Sequence, residues 1–364
     1  MKYIFEYRKP EILKEIIKKI KIYASRLKKE INLMEVCGTH TMQIGRYGIR
    51  RLMPENIKLI SGPGCPVCVT PSWYIDTSIQ LSKTNDVIIT TFGDMVKVPG
   101  SFSSLEKEKA NGSEIFVVYS PLDALNIAEK NKNKKVIFLA VGFETTTPSI
   151  AMTIKIAKEK KIKNFFILCG NKLIPPVMEF LLKEKDTKID GFICPGHVSV
   201  IIGEEPYRFI PEKYNISCVI SGFEPSDIIY SIFLILRNII EEKPDVINEY
   251  KRAVSKSGNK KAREIIYDVF EKVDSEWRGI GIVERSGLKL KEEYREFDAE
   301  NRFEIKFEKK ERKVNCLCGE ILKGKKIPFD CSLFEKVCNP ENPVGPCMVS
   351  SEGTCSAYYK YEKR

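Results

Sequence analysis

No apolar run in this sequence reaches the roughly 18–20 residues that a membrane-spanning helix needs. The longest candidate in the 364 residues, from Ile228 to Ile240, is interrupted by Tyr230, Ser231, Arg237 and Asn238 and reads as a buried amphipathic helix. The opening stretch, MKYIFEYRKPEILKE, is charged throughout and lacks the apolar segment of a secretory signal, so a cytoplasmic protein with no membrane association is expected. The phosphate-cradling pattern GxxxxGK(S/T) is missing, which assigns any ATP chemistry to a partner. No internal repeat is visible. Histidine is scarce, with only His40 and His197 in the chain.

What is present is charge, interspersed rather than blocked. Sixty Lys and Arg stand against forty-nine Asp and Glu, a net charge of +11. Stretches such as KEKKIKNF and KKAREIIYDVFEKVDSE mix both signs, the pattern of a solvated surface rather than of a phosphate-tracking stripe. No nucleic-acid partner is expected, and a basic surface of this kind suits an acidic protein equally well. The 43% hydrophobic content supports ordinary cores.

Cysteine is the unusual count. Twelve cysteines are too many for incidental core use, and a reducing compartment does not maintain a disulfide scaffold. Three precede residue 70, three are dispersed (Cys169, Cys194 and Cys218), and six crowd between Cys316 and Cys355. Clustering of this kind points to metal or redox chemistry.

After a helix over about Glu11–Lys29, short apolar runs alternate with helical stretches: INLMEV, NIKLI, DVIIT and EIFVVY, then KVIFLAV, NFFIL, GFIC and SCVI. Continuous Ile/Val/Phe runs separated by helices predict parallel strands covered on both faces. Four runs precede residue 120 and four lie between about 135 and 221. The predicted fold class is therefore α/β, with two similar domains of small parallel sheets over residues 1–120 and 121–222 and a helical, cysteine-rich third domain over 223–364. In that last part SDIIYSIFLILRNIIEE, EYKRAVSK and AREIIYDVFEKV have helical periodicity, and GIGIVERSGLKL reads as strand and turn. The final fifty residues hold Pro328, Pro340, Pro343 and Pro346 and no core-forming run, so they need a staple that the six cysteines can supply.

Those six lie in CLCGEILKGKKIPFDCSLFEKVCNPENPVGPCMVSSEGTC. Four thiolates hold an iron–sulfur cluster, and a structural zinc also takes four sulfurs. The Cys-x2-Cys knuckles of zinc ribbons are absent, which favours iron–sulfur, while spacing alone leaves the choice of four open. Cys316 and Cys318, two apart, project to one face of an extended segment.

Two further motifs follow predicted strands. MEVCGTH places Cys37 at a strand end with Gly38 for a tight turn and a helix start near Thr39, where a helix N-terminus would lower the thiol pKa and make thiolate available. His40 follows three residues later as a proton acceptor, metal ligand or holder of a bound group. The alternative is an inert core thiol with a surface histidine. SGPGCPVCVTP carries Cys65 and Cys68 at dithiol–disulfide spacing on a loop turned by Gly62 and Gly64 and stiffened by Pro63 and Pro66. If their strands are sheet neighbours, Cys37 and the Cys65/Cys68 pair share one end of that sheet, where α/β proteins place ligands. TFGDMVKVPGS, GFETTTP with Glu144 and Thr145 to Thr147, and CPGHVS with His197 are weaker candidates for the same cleft, against plain capping and turn roles. Cys169, Cys194 and Cys218 end apolar strands and read as small core residues.

Taken together, MEVCGTHTMQIGRYGI, GPGCPVCVTP, GFETTTP, PGHVS and CGE…DC…VCNPENPVGPCMVSSEGTC resemble the signatures of the hydrogenase-maturation HypD family, in the family's order from about residue 34 to 360. The resemblance implies two Rossmann-like domains, a third domain with a [4Fe–4S] cluster, and a scaffold on which the Fe(CN)2CO unit of [NiFe] hydrogenases is built. It maps the cluster ligands to Cys316, Cys331, Cys338 and Cys355 and leaves Cys318 and Cys347 as a candidate redox disulfide. It maps the iron-binding cysteine to Cys37, within the motif that holds His40, and the thiol-exchange pair to Cys65 and Cys68. It implies a small HypC-type chaperone and a HypE-type cyanide donor as partners. Two other functions fit parts of the pattern: a stand-alone iron–sulfur thiol–disulfide reductase, and a zinc-stapled binding protein.

Overall fold

A computed structural model describes residues 10–303 and 315–362; the charged residues 1–9 of the opening stretch lie outside it. All eight apolar runs form strands: β1 (Ile31–Glu35), β2 (Ile57–Ser61), β3 (Val87–Thr91), β4 (Ile115–Val117), β5 (Lys135–Ala140), β6 (Phe165–Cys169), β7 (Gly191–Pro195) and β8 (Ser217–Ser221). A short β9 (Val246–Asn248) follows, then β10 (Phe270–Trp277) and β11 (Gly281–Leu290).

The two parallel sheets are there, and their membership corrects the expected grouping. One sheet runs β2-β1-β7-β8-β9 and the other β4-β3-β5-β6. The chain lays down two strands of the first sheet, builds the whole second sheet, and returns. A division at residue 120 that keeps β1–β4 together does not match these sheets. Continuous apolar runs report burial on both faces and carry no information about which neighbour a strand takes. Every pairing within the two sheets is parallel, with β1 and β2 in register from Ile31↔Ile57 to Glu35↔Ser61.

The helix Pro10–Ser25 lies along the Pro225–Ile240 helix, where Tyr23 and Phe233 meet edge to face at 5.3 Å. Beyond it the helical reading fails twice. EYKRAVSK is a series of turns, and the Lys260–Val269 helix stops where Phe270 begins β10, which pairs antiparallel with β11. Only the two ends of β10, Phe270 and Trp277, are buried; its middle faces outward in part, so FEKV mimics a helical period without belonging to one. The cysteine-rich segment is mainly turns with short helices Cys318–Leu322, Pro346–Val349 and Thr354–Tyr361. One apolar core runs through both sheets into this segment, from Met34 and Ile89 to Cys331 and Phe334. Among the described residues no helix is long and apolar enough to cross a membrane.

Candidate functional site

Because β1 and β2 are in-register neighbours, the loops leaving them emerge side by side. Gly62 N donates to Glu35 O at 2.8 Å and Gly38 N to Gly64 O at 3.0 Å, which laces the two loops together. Gly64 is required by this approach: a Cβ there would overlap the backbone of Cys37. Cys37 and the Cys65-x-x-Cys68 loop thus occupy one end of one sheet.

A cleft of about 380 Å³ opens beside them, lined by Cys37 and Thr39 of the first motif and Gly64, Pro66 and Val67 of the second. Three other strand-end loops complete it: Phe92 to Met95 after β3, Gly142, Phe143, Thr145 and Thr146 after β5, and Pro195 with His197 after β7. The cleft therefore lies between the C-terminal ends of both sheets. Glu144 and Thr147 do not face it. Glu144 turns back to accept the Ile174 N–H at 3.0 Å, and the Thr147 hydroxyl donates to Phe143 O at 2.8 Å inside its own helix start.

Cys37 caps the Gly38–Arg46 helix and is only 8% exposed. The expected easy ionisation is corrected: burial pushes the thiol up to about 11, against the N–H groups of His40 and Thr39, with the nearby Glu352 carboxylate adding to the rise. Desolvation of the anion outweighs the helix terminus. His40 is fully buried and outside the cleft lining, its Nε2 2.8 Å from Gly222 O, and burial holds its pKa down to about 4. His197 faces the cleft and is exposed, its pKa lowered by partial desolvation. Both imidazoles lie against Phe223, with ring centroids at 4.8 Å for His40 and 4.1 Å for His197.

Cys65 and Cys68 are joined in a disulfide and are 3% and 1% exposed. Their sulfurs do not line the cleft; Cys68 Sγ lies 3.9 Å from the Pro346 carbonyl oxygen, beside Cys347. This dithiol position bridges the Cys37 loop and the C-terminal cysteines. Among those, Cys316, Cys318, Cys331, Cys338 and Cys355 line one small cavity with Ile321, Leu333, Phe334 and Met348. Cys316 and Cys318 sulfurs stand 3.1 Å apart, and Cys338 Sγ accepts from Val344 N at 3.3 Å. Cys318 and Cys347 are free thiols, the latter fully buried. Among the described residues no three His, Cys, Asp or Glu side chains meet at the spacing of a single-ion site. A four-iron cluster spreads its thiolates wider than one ion does, and convergent soft sulfur in an apolar shell is the donor set it takes, so the residues present fit such a group. Cys194 and Cys218 are fully buried strand residues, as expected of core thiols.

Sequence reasoning missed Glu352. It lies in the VSSEGTC segment yet lines the Cys37 cleft, accepts from Thr39 Oγ1 at 2.6 Å, and its backbone presses on Gly38. It also missed Phe223 and Trp277, at the end of β10, which stacks on Phe143 at 5.9 Å. None of these carries a spacing signal, because each reaches the site from a remote part of the chain.

Comparison with known proteins supplies a context. A family model named HypD, described as the hydrogenase formation hypA family, matches residues 11–362. Hydrogenase maturation factor HypD2 of Bradyrhizobium diazoefficiens is 46% identical, across 99% of this chain and 97% of its own length. Hydrogenase maturation factor HypD of Cupriavidus necator is 44% identical over 99% of this chain and 97% of that protein. The Escherichia coli factor of the same name is 41% identical over all of this chain and 99% of that protein.

Proposed function

The chain belongs to the HypD family, and from that premise we propose that this hydrogenase maturation factor is a cytoplasmic scaffold on which the Fe(CN)2CO fragment of a [NiFe] hydrogenase is assembled. One observation carries this reading: Cys37 opens, with Glu352 and His197, into a cleft walled by loops from both sheets.

The iron under construction is the cargo. Cyanide and CO favour low-spin Fe(II), a soft ion in this ligand field, and the Cys37 thiolate suits it. Burial holds Cys37 protonated when alone, so iron binding and loss of that proton occur together. Glu352 and His197, both lining the cleft, are placed to take the proton. A HypC-type chaperone would supply a second thiolate and carry the fragment away, and a HypE-type partner would bring cyanide as a thiocyanate. Releasing HCN from that group consumes two electrons and two protons and leaves a thiol. Closure of reduced Cys65 and Cys68 to their disulfide yields the same two electrons and two protons, so the exchange balances. Cys316, Cys331, Cys338 and Cys355 would hold a [4Fe–4S] cluster, which supplies single electrons when bound.

Infrared spectroscopy of the protein co-purified with its partners tests the reading. CO and CN stretches are expected in the wild type and are lost in Cys37→Ala; a C37A protein that keeps them removes the iron site. The closed Cys65–Cys68 disulfide also favours the reductase reading, in which no iron is carried. That reading predicts disulfide reduction without any CO or CN stretch, and zinc in place of iron in the purified protein would support the binding-protein alternative.

A further inference from the structure

The turn between β10 and β11 is wedged among three cysteine-bearing segments. Arg278 N donates to Val69 O at 2.9 Å, immediately after Cys68. Gly279, at φ 73°, lies backbone to backbone with Gly319, immediately after Cys318; a Cβ on Gly279 would stand 2.6 Å from Gly319 Cα. Cys68 in turn touches the carbonyl of Pro346, immediately before Cys347. The Arg278 side chain enters this junction. Its Nη1 is buried and, among the described residues, meets no hydrogen-bond acceptor.

A guanidinium keeps its charge under these conditions, and a buried charge without a partner is costly. Burial is the largest influence on the guanidinium and works against its charge; the charged forms of Cys318, Cys347 and Cys316, and then Asp76, work in its favour. Asp76 is already engaged, with its two oxygens accepting Ser101 N at 2.7 Å and Ser101 Oγ at 2.6 Å. A neutral thiol is a weak acceptor, whereas a thiolate or thiolate-ligated metal is a strong one. The unpaired Nη1, on a side chain that is only partly buried, therefore points to negative charge on the sulfur side.

We propose that Arg278 is the fixed countercharge of the C-terminal cysteine site, offsetting the charge of its thiolates and making the bound cluster easier to reduce. It is a positioning residue: it reaches neither the cleft nor the cargo. The inference rests on the reading that these cysteines hold a cluster.

Full-length wild type, Arg278→Lys and Arg278→Gln, prepared anaerobically, are compared for iron and sulfide content and titrated by electron paramagnetic resonance. Arg278→Gln is expected to shift the reduction equilibrium about tenfold toward the oxidised form, 59 mV for one electron, with Arg278→Lys within threefold of wild type. Equal potentials in wild type and R278Q, or equal shifts in both variants, overturn the proposal. If R278Q retains no iron, retention by R278K supports it, and loss in both variants reduces Arg278 to a packing role. A wild type without iron and sulfide instead sinks the cluster reading. The countercharge proposal then falls with it.

Discussion

Two residues show how packing and burial, rather than sequence neighbourhood, set the local chemistry of this molecule. Gly64 is fixed by what it touches: any side chain there collides with Cys37. Gly64→Ala should cost roughly 1–3 kcal/mol, read as a lower denaturant midpoint, and should also disturb the Cys37 loop enough to weaken iron retention. Glu144 is 3% exposed, and burial raises its carboxyl to about 7 from 4.5. Below about 4.5 both folded and unfolded forms are protonated, so its contribution is fully present. As pH rises toward 7 the unfolded chain releases the proton first, and stability falls by roughly 3 kcal/mol across that window. Glu144→Gln should flatten that part of the pH–stability curve relative to wild type; identical slopes would show that the carboxyl ionises normally. The motif residues Cys37, Cys65 and Cys68 were legible in the sequence because turn glycines and strand ends announce them. Their ionisation was not, because the packing that desolvates Cys37 comes from elsewhere in the chain.

At the scale of elements, the helix Thr354–Tyr361 is tied to the first sheet by one largely covered arginine. Arg50 reaches Glu35 at 3.3 Å and Glu362 at 3.2 Å and lies over the Tyr358 ring at 4.6 Å, while Ser61 Oγ donates to Glu35 at 2.7 Å. Glu35 sits at the end of β1, two residues before Cys37, and is fully buried. Burial raises its pKa even against the Arg50 charge, so removing Arg50 leaves an acid with little reason to ionise. Arg50→Ala should cost about 3–5 kcal/mol, with faster amide exchange concentrated in residues 354–361. Exchange spread evenly over the chain would contradict a local clamp. All eight apolar runs were legible as strands, since composition and length suffice for that. Sheet membership was not, and β10 was misread because an edge of a two-stranded ribbon lacks strict alternation.

The whole molecule behaves as one cooperative body if its core is as continuous as the packing indicates. The same apolar cluster takes residues from both sheets and the cysteine-rich segment. Trp73, in the Ser72–Ser82 helix, and Trp277, in β10, should therefore report the same denaturation midpoint as far-ultraviolet circular dichroism. Separate midpoints would mark independent units. The interleaved strand order also imposes a schedule during synthesis. β1 is made early, yet one of its sheet partners is β7, and the cleft beside Cys37 gains Pro195 and His197 only after both other loop pairs exist. Glu352 arrives last of all. A ribosome releasing this chain therefore exposes the Cys37 thiol long before its pocket can form, and the topology leaves the nascent polypeptide without a finished cradle until Glu352 has been translated.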